Sequence, residues 1–241
     1  MIFPENITGP QFSVGDFVTY QFDDCELTLR LPVVPHNTDK VDDVSPRRDY
    51  RNVNTRDWRP LGEQGFTFTR LAVQKWKYEC ERTHDNIASC YMTVSVLKHT
   101  LKDADSLFSL NSETFQEHHL QVIHADFSDY EQTKGDEWPS ASNNFLAKTI
   151  TRPVLDGLQV QLDLVDGAEA PTLGALFSLG KEYTLNIEWS FSSLHYPDRQ
   201  NPYSRELLNK MKFELFDEFL SFIDIEYSPE TLALIQKLKT A

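Results

Sequence analysis

The chain has 241 residues, 40% hydrophobic and 12% aromatic, which is enough apolar side chain to bury a sizeable core. Its 23 basic residues against 37 acidic ones leave a formal net charge of −14. That balance argues against nonspecific binding to nucleic acid or to anionic membranes, because the overall field repels both.

The first twenty residues, "MIFPENITGPQFSVGDFVTY", contain no basic n-region and no continuous apolar run, so they do not read as a secretory signal. No window approaches the roughly 18 apolar residues that span a bilayer. Three cysteines, Cys25, Cys80 and Cys90, have the wrong parity for a disulfide framework. These features together predict a cytoplasmic protein, and the sequon at Asn6-Ile7-Thr8 carries little weight in that setting.

Period-two alternation dominates the chain. Residues 17–22 and 27–31 flank "DDCE", with Leu27, Leu29 and Leu31 pointing one way and Thr28 and Arg30 the other, which predicts a hairpin. From Phe66 to Cys80 the even positions place Phe66, Phe68, Trp76, Tyr78 and Cys80 on one face. A strand over 90–97 follows, connected by "ERTHDNIAS", and a turn about Asp85 would set Cys80 opposite Cys90. Packing is the expected role of those thiols, since a free cysteine behaves as a small buried hydrophobe.

Residues 145–150 and 158–164 predict a second hairpin turning at Asp156-Gly157. In 158–164, and again in 183–191, leucine, valine, isoleucine and aromatic residues alternate with polar ones. Such strands belong to an antiparallel sheet with one face wet. The period then changes. After Ser204, a candidate cap, Leu207, Leu208, Met211, Leu215, Phe219, Leu220 and Ile223 recur at helical spacing. Ser228-Pro229 predicts an N-cap with proline at N1, opening a second helix to about Lys239. The polar face of the first helix bears Glu206, Glu214, Asp217, Glu218 and Asp224, which argues against a membrane-surface helix.

Charge is unevenly spread. Net values are −6 for residues 1–45, +4 for 46–82, −7 for 83–145, −3 for 146–200 and −2 for 201–241. The basic island centres on "SPRRDYRNVNTRDWRP", residues 45–60, with Arg47, Arg48, Arg51, Arg56 and Arg59 interleaved with Tyr50 and Trp58. Arginine binds carboxylates and phosphates bidentately and stacks on aromatic faces. Arginine, tyrosine and tryptophan are also the residue types enriched at interface hot spots. The island therefore reads as a partner- or anion-binding loop, or as an internal clasp for its acidic flanks.

His118, His119 and His124 invite a metal reading, but His118 and His124 would lie about 20 Å apart on a strand. On a helix, neither earlier histidine shares a face with His124. With no CxxC and no HExxH, these three remain weak candidates, and no metal or other cofactor is expected. There is also no GxSxG elbow, no GxxxxGK[ST] loop and no GxGxxG opening a helix. Trp76 and Trp189 fit core faces, leaving Trp58 and Trp138 as candidate exposed aromatics for a sugar platform.

These observations predict an α+β fold in one domain, with a β-rich body over 1–200 and a helical segment over 201–241. The sheet is predominantly antiparallel, curved or two-layered, and closed by one or two C-terminal helices. The expected function is a non-enzymatic protein-binding module of the immunity or antitoxin type, whose acidic surface meets a basic toxin or effector. Acidic contacts are expected at Asp39, Asp42, Asp43, Asp126, Asp129, Glu131, Asp136 and Glu137. The alternative is an enzyme or binding domain for a phosphorylated or other anionic small molecule held by the arginine loop. Carbohydrate binding through Trp58 and Trp138 is the third option. Neither nucleic acid nor membrane is an expected partner.

Overall fold

A computed structural model describes residues 7–33, 52–53, 57–61, 66–81, 84, 86–99, 145–162, 172–193 and 205–240. In chain order the elements are β1 (Ile7–Thr8), β2 (Gln11–Gln21), β3 (Cys25–Val33), β4 (Arg59–Leu61), β5 (Phe66–Cys80) and β6 (Asn86–His99). There follow β7 (Phe145–Ile150), β8 (Gly157–Leu162), β9 (Thr172–Ser178), β10 (Tyr183–Ser193), α1 (Arg205–Ser221), β11 (Ile223–Tyr227) and α2 (Pro229–Thr240).

The strands form two antiparallel sheets. The larger has the order β1-β5-β6-β10-β9-β8-β7, with β4 also paired to β5, and the smaller has the order β11-β3-β2. The α+β expectation therefore holds: sheets built mainly of hairpins, with two helices packed on them. Among the described residues no helix is long and apolar enough to cross a membrane.

The core forms where the small sheet and α1 cover one face of the large sheet. Phe12 of β2 lies 6.4 Å from Trp76, 5.9 Å from Trp189 and 5.5 Å from Phe219, ring centre to ring centre. Trp76 and Trp189 meet edge to face at 5.3 Å, a favoured aromatic geometry. The helix contributes two rows at four-residue spacing, Met211-Leu215-Phe219 and Lys212-Phe216-Leu220, all buried. Lys212 stands in an apolar stripe, its ammonium 5.6 Å from the Phe213 ring centre.

Several expectations are corrected by pairing. The alternation along 66–80 does not keep one face, because a bulge between Arg70 and Ala72 inserts an extra residue. Phe68 consequently pairs with Leu97, whereas Trp76 pairs with Cys90, which puts the two aromatics on opposite faces. The same bulge aims the Leu71 carbonyl at the small sheet, where the Tyr20 hydroxyl donates to it at 3.1 Å. Cys80 does not face Cys90 either: it pairs with Ile7, and the β5–β6 connection spans only residues 81–85. All three cysteines are free and buried, as their packing role requires.

The second hairpin forms as expected, β7 pairing antiparallel with β8, although Gly157 belongs to the strand and not to the turn. The connection runs over 151–156, closed where Arg152 N donates to Asp156 Oδ1 at 2.9 Å. The first C-terminal helix ends at Ser221, and Ile223 belongs to β11, because "IDIEY" alternates for a strand. β9 carries no period-two signal: six of its seven residues are buried, so it lacks the polar alternation that marks a half-wet strand. For the same reason the second face of the large sheet is not wet at its centre. Thr93, Ser95, Thr184 and Asn186 are buried there beside Leu97, Leu158, Val160 and Leu176. Ser95 tolerates this by bonding locally, its Oγ donating to the Asn186 carbonyl at 3.4 Å.

Candidate functional site

Among the described residues a concave site opens where the β2–β3 turn meets the start of α2. The turn is short, with Phe22 N donating to Cys25 O at 2.9 Å. Asp24 ties it to two other elements. Its Oδ2 accepts from Lys181 N at 3.0 Å, its Oδ1 from Thr231 Oγ1 at 3.3 Å, and its carbonyl from Ser228 N at 2.9 Å. Gly180 permits this approach: its φ of 150° suits glycine, and a side chain there would overlap Asp24. Ser228 caps α2 as its sequence predicts, with Oγ accepting from Thr231 N at 3.2 Å.

The groove so formed has a volume of about 520 Å³. Among the described residues that line it, Asp23, Glu26 and Glu226 supply its charge, and none is a lysine or arginine. Glu26 and Glu226 are directly opposed across the β3–β11 ladder, and like charges in that relation are destabilising. Beneath them, Cys25 and Tyr227 lie on the buried side. Burial, reinforced by the Asp24 charge, pushes the Cys25 thiol well above its ordinary value. It stays protonated at neutral pH and is no nucleophile. Burial likewise raises the Tyr227 hydroxyl, which donates to Ser178 O at 2.5 Å.

Beyond the groove the outer face of the small sheet continues as three cross-strand rows. The first is Gln21, Glu26 and Glu226, and the second Thr19, Thr28 and Asp224, with the Thr19 and Thr28 hydroxyls 3.0 Å apart. In the third, Arg30 stands between two rings, 4.6 Å from the centre of Phe17 and 4.9 Å from that of Phe222. Arg30 Nε also donates to Gly15 O at 3.1 Å. None of these nine residues is buried, and Phe17 is 61% exposed.

The arginine island reaches the edge of this site. Asn52 forms an isolated parallel bridge with Gln21 and lines the groove, while Val53 is buried in the core. Trp58 is half-buried against Tyr183, 5.8 Å between ring centres, so one of its faces is already spent on packing. Arg59 is exposed at the start of β4. Arg47, Arg48, Tyr50, Arg51 and Arg56 lie outside the described residues. So do Asp39, Asp42, Asp43, Asp126, Asp129, Glu131, Asp136, Glu137, His118, His119, His124 and Trp138. Among the described residues no three or more His, Cys, Asp or Glu converge to hold a metal ion.

The residues that build the described site were thus not the ones singled out for it. Glu26 and Glu226 are opposed in space but lie at opposite ends of the chain, and no local pattern announces their meeting. The one available signal was the alternation of "IDIEY", which marks β11 as a strand with Asp224 and Glu226 on a shared face. No protein-family model matches the chain, and neither a curated protein nor a solved structure matches it.

Proposed function

We infer that the chain is a non-enzymatic protein-binding module that engages a basic partner through the acidic end of its three-stranded sheet. An immunity- or antitoxin-type inhibitor of a basic toxin or effector is the concrete form of this reading. The observation that carries it is the Glu26–Glu226 opposition beside Asp23, with no cation among the described residues lining the groove. Two like charges held face to face on a rigid ladder cost the free protein stability. A lysine or arginine of a partner placed between them removes that cost on binding. The net charge of −14 adds steering, which speeds encounter with a basic surface and weakens as salt screens it.

Glu226→Gln should therefore raise the urea midpoint of the free protein slightly while weakening capture of the partner. The test is affinity capture from the native organism, with wild type and the Glu26→Gln/Glu226→Gln double variant, at low and high salt. A stoichiometric basic partner should be held at low salt by wild type, released at high salt, and retained poorly by the double variant. Equal retention by both proteins, salt-independent retention, or no partner at all would count against the reading.

A further inference from the structure

We propose that the outer face of the three-stranded sheet receives an extended segment of the partner that presents an acidic, a small and a basic side chain at alternate positions i, i+2 and i+4. The proposal rests on the protein-binding reading above and specifies the chemistry of what binds.

Arg30 and Glu26 lie on the same strand, four residues apart, so their side chains leave the same face of the sheet about 13 Å from one another. Thr28 lies midway, flanked by Thr19 and Asp224. The face therefore runs from a guanidinium, through two hydroxyls beside the Asp224 carboxylate, to the Glu26–Glu226 pair. A strand laid over it along the same direction presents every second side chain to the face, with the same repeat of roughly 6.6 Å. Its acidic side chain meets Arg30, its small one the threonine row, and its basic one Glu26 and Glu226.

The cationic end is built for such a contact. Rings on both sides and the bond to Gly15 O hold the Arg30 guanidinium in place, which reduces the entropy lost on binding. Phe17, 61% exposed above it, adds apolar area of the kind that anchors interfaces. Other occupants match only part of the face. A polyamine satisfies the carboxylates and leaves Arg30 without a counter-charge. A nucleic acid matches Arg30 but meets Asp23, Asp224, Glu26 and Glu226. A second copy of this chain adds four carboxylates for each arginine it brings, so it too is repelled.

The test uses the full chain and two ten-residue peptides of identical composition in a threonine-valine background. One carries Asp, Ser and Lys at i, i+2 and i+4; in the other Asp and Lys are adjacent. Fluorescence anisotropy should show the spaced peptide binding about tenfold tighter, the worth of one well-placed charge pair. Arg30→Glu should abolish that preference and favour a peptide with Lys at both i and i+4. Phe17→Ala, at an exposed position, should weaken the spaced peptide without unfolding the protein. Equal binding of the two peptides, or an Arg30→Glu protein that keeps the preference, would overturn the proposal. So would a wild-type dimer in sedimentation that Arg30→Glu dissolves, since that assigns the face to a second copy. If Glu26→Gln/Glu226→Gln weakens binding while Arg30→Glu does not, the spacing falls and a basic partner stands. If neither variant has any effect, both fall.

Discussion

Thr184 is buried completely on the second face of the large sheet, and its hydroxyl finds no hydrogen-bond partner among the described residues. A hydroxyl taken from water without a partner costs about 1–3 kcal/mol. Valine has the same shape without that group, so Thr184→Val should raise unfolding free energy by about 1 kcal/mol in urea denaturation. A loss of stability would show that the hydroxyl is satisfied in solution. The buried thiols make a second residue-scale prediction. Burial lifts Cys90 well above the ordinary thiol value of 9.0, against a smaller opposing pull from Lys212, and Cys25 is lifted in the same direction by burial and Asp24. Between the unfolded and folded values the native state binds the proton that the unfolded chain releases. The thiols' contribution to stability is thus intact below about pH 9 and falls as pH climbs beyond it. The urea midpoint should drop between pH 7 and about 10.5, and a midpoint that stays level would contradict this account.

At the scale of elements, α2 is fastened at both ends. Ser228 caps its first turn, and Lys239 Nζ in its last turn donates to Val154 O at 2.7 Å, reaching the β7–β8 connection. Arg152 of that connection also donates through Nη2 to Leu220 O at the end of α1. Ser228→Ala should cost about 1 kcal/mol. Because the cap also positions Thr231 against Asp24, hydrogen exchange should accelerate in α2 and around the β2–β3 turn together. Exchange confined to the first turn of α2 would mean that Asp24 holds the three elements without the cap. The same local view explains the α1–β11 border. Phe222, which ends the helical register, has its ring drawn over Arg30 of the small sheet, so the chain leaves the helix and enters a strand within one residue.

For the molecule as a whole, one aromatic cluster joins both sheets to α1. Trp189 lies 5.9 Å from Phe12 of the small sheet, 5.3 Å from Trp76 of the large sheet and 5.6 Å from Phe216 of the helix. Trp189→Ala should therefore cost about 3–5 kcal/mol. The loss should appear as one cooperative transition by tryptophan fluorescence and far-ultraviolet circular dichroism alike. Separate transitions by the two probes would show that the sheets do not depend on this cluster. Much of the fold was legible locally. Leu27 and Leu29, Leu185 to Trp189 and the Ser228-Pro229 cap declare themselves through period and capping, which depend on neighbours two to four residues away. The arginine island was legible as composition, and the structure ties its Asn52, Val53 and Trp58 to the body of the protein. What tertiary structure alone decided were relations between distant segments. The bulge at Leu71 reverses the faces of β5, burial on both sides hides β9 from any alternation, and β3–β11 pairing sets Glu26 against Glu226. Periodicity reports which side of its own strand a residue occupies. It carries no information about which strand lies alongside, and the acidic end of the small sheet's outer face exists only through that pairing.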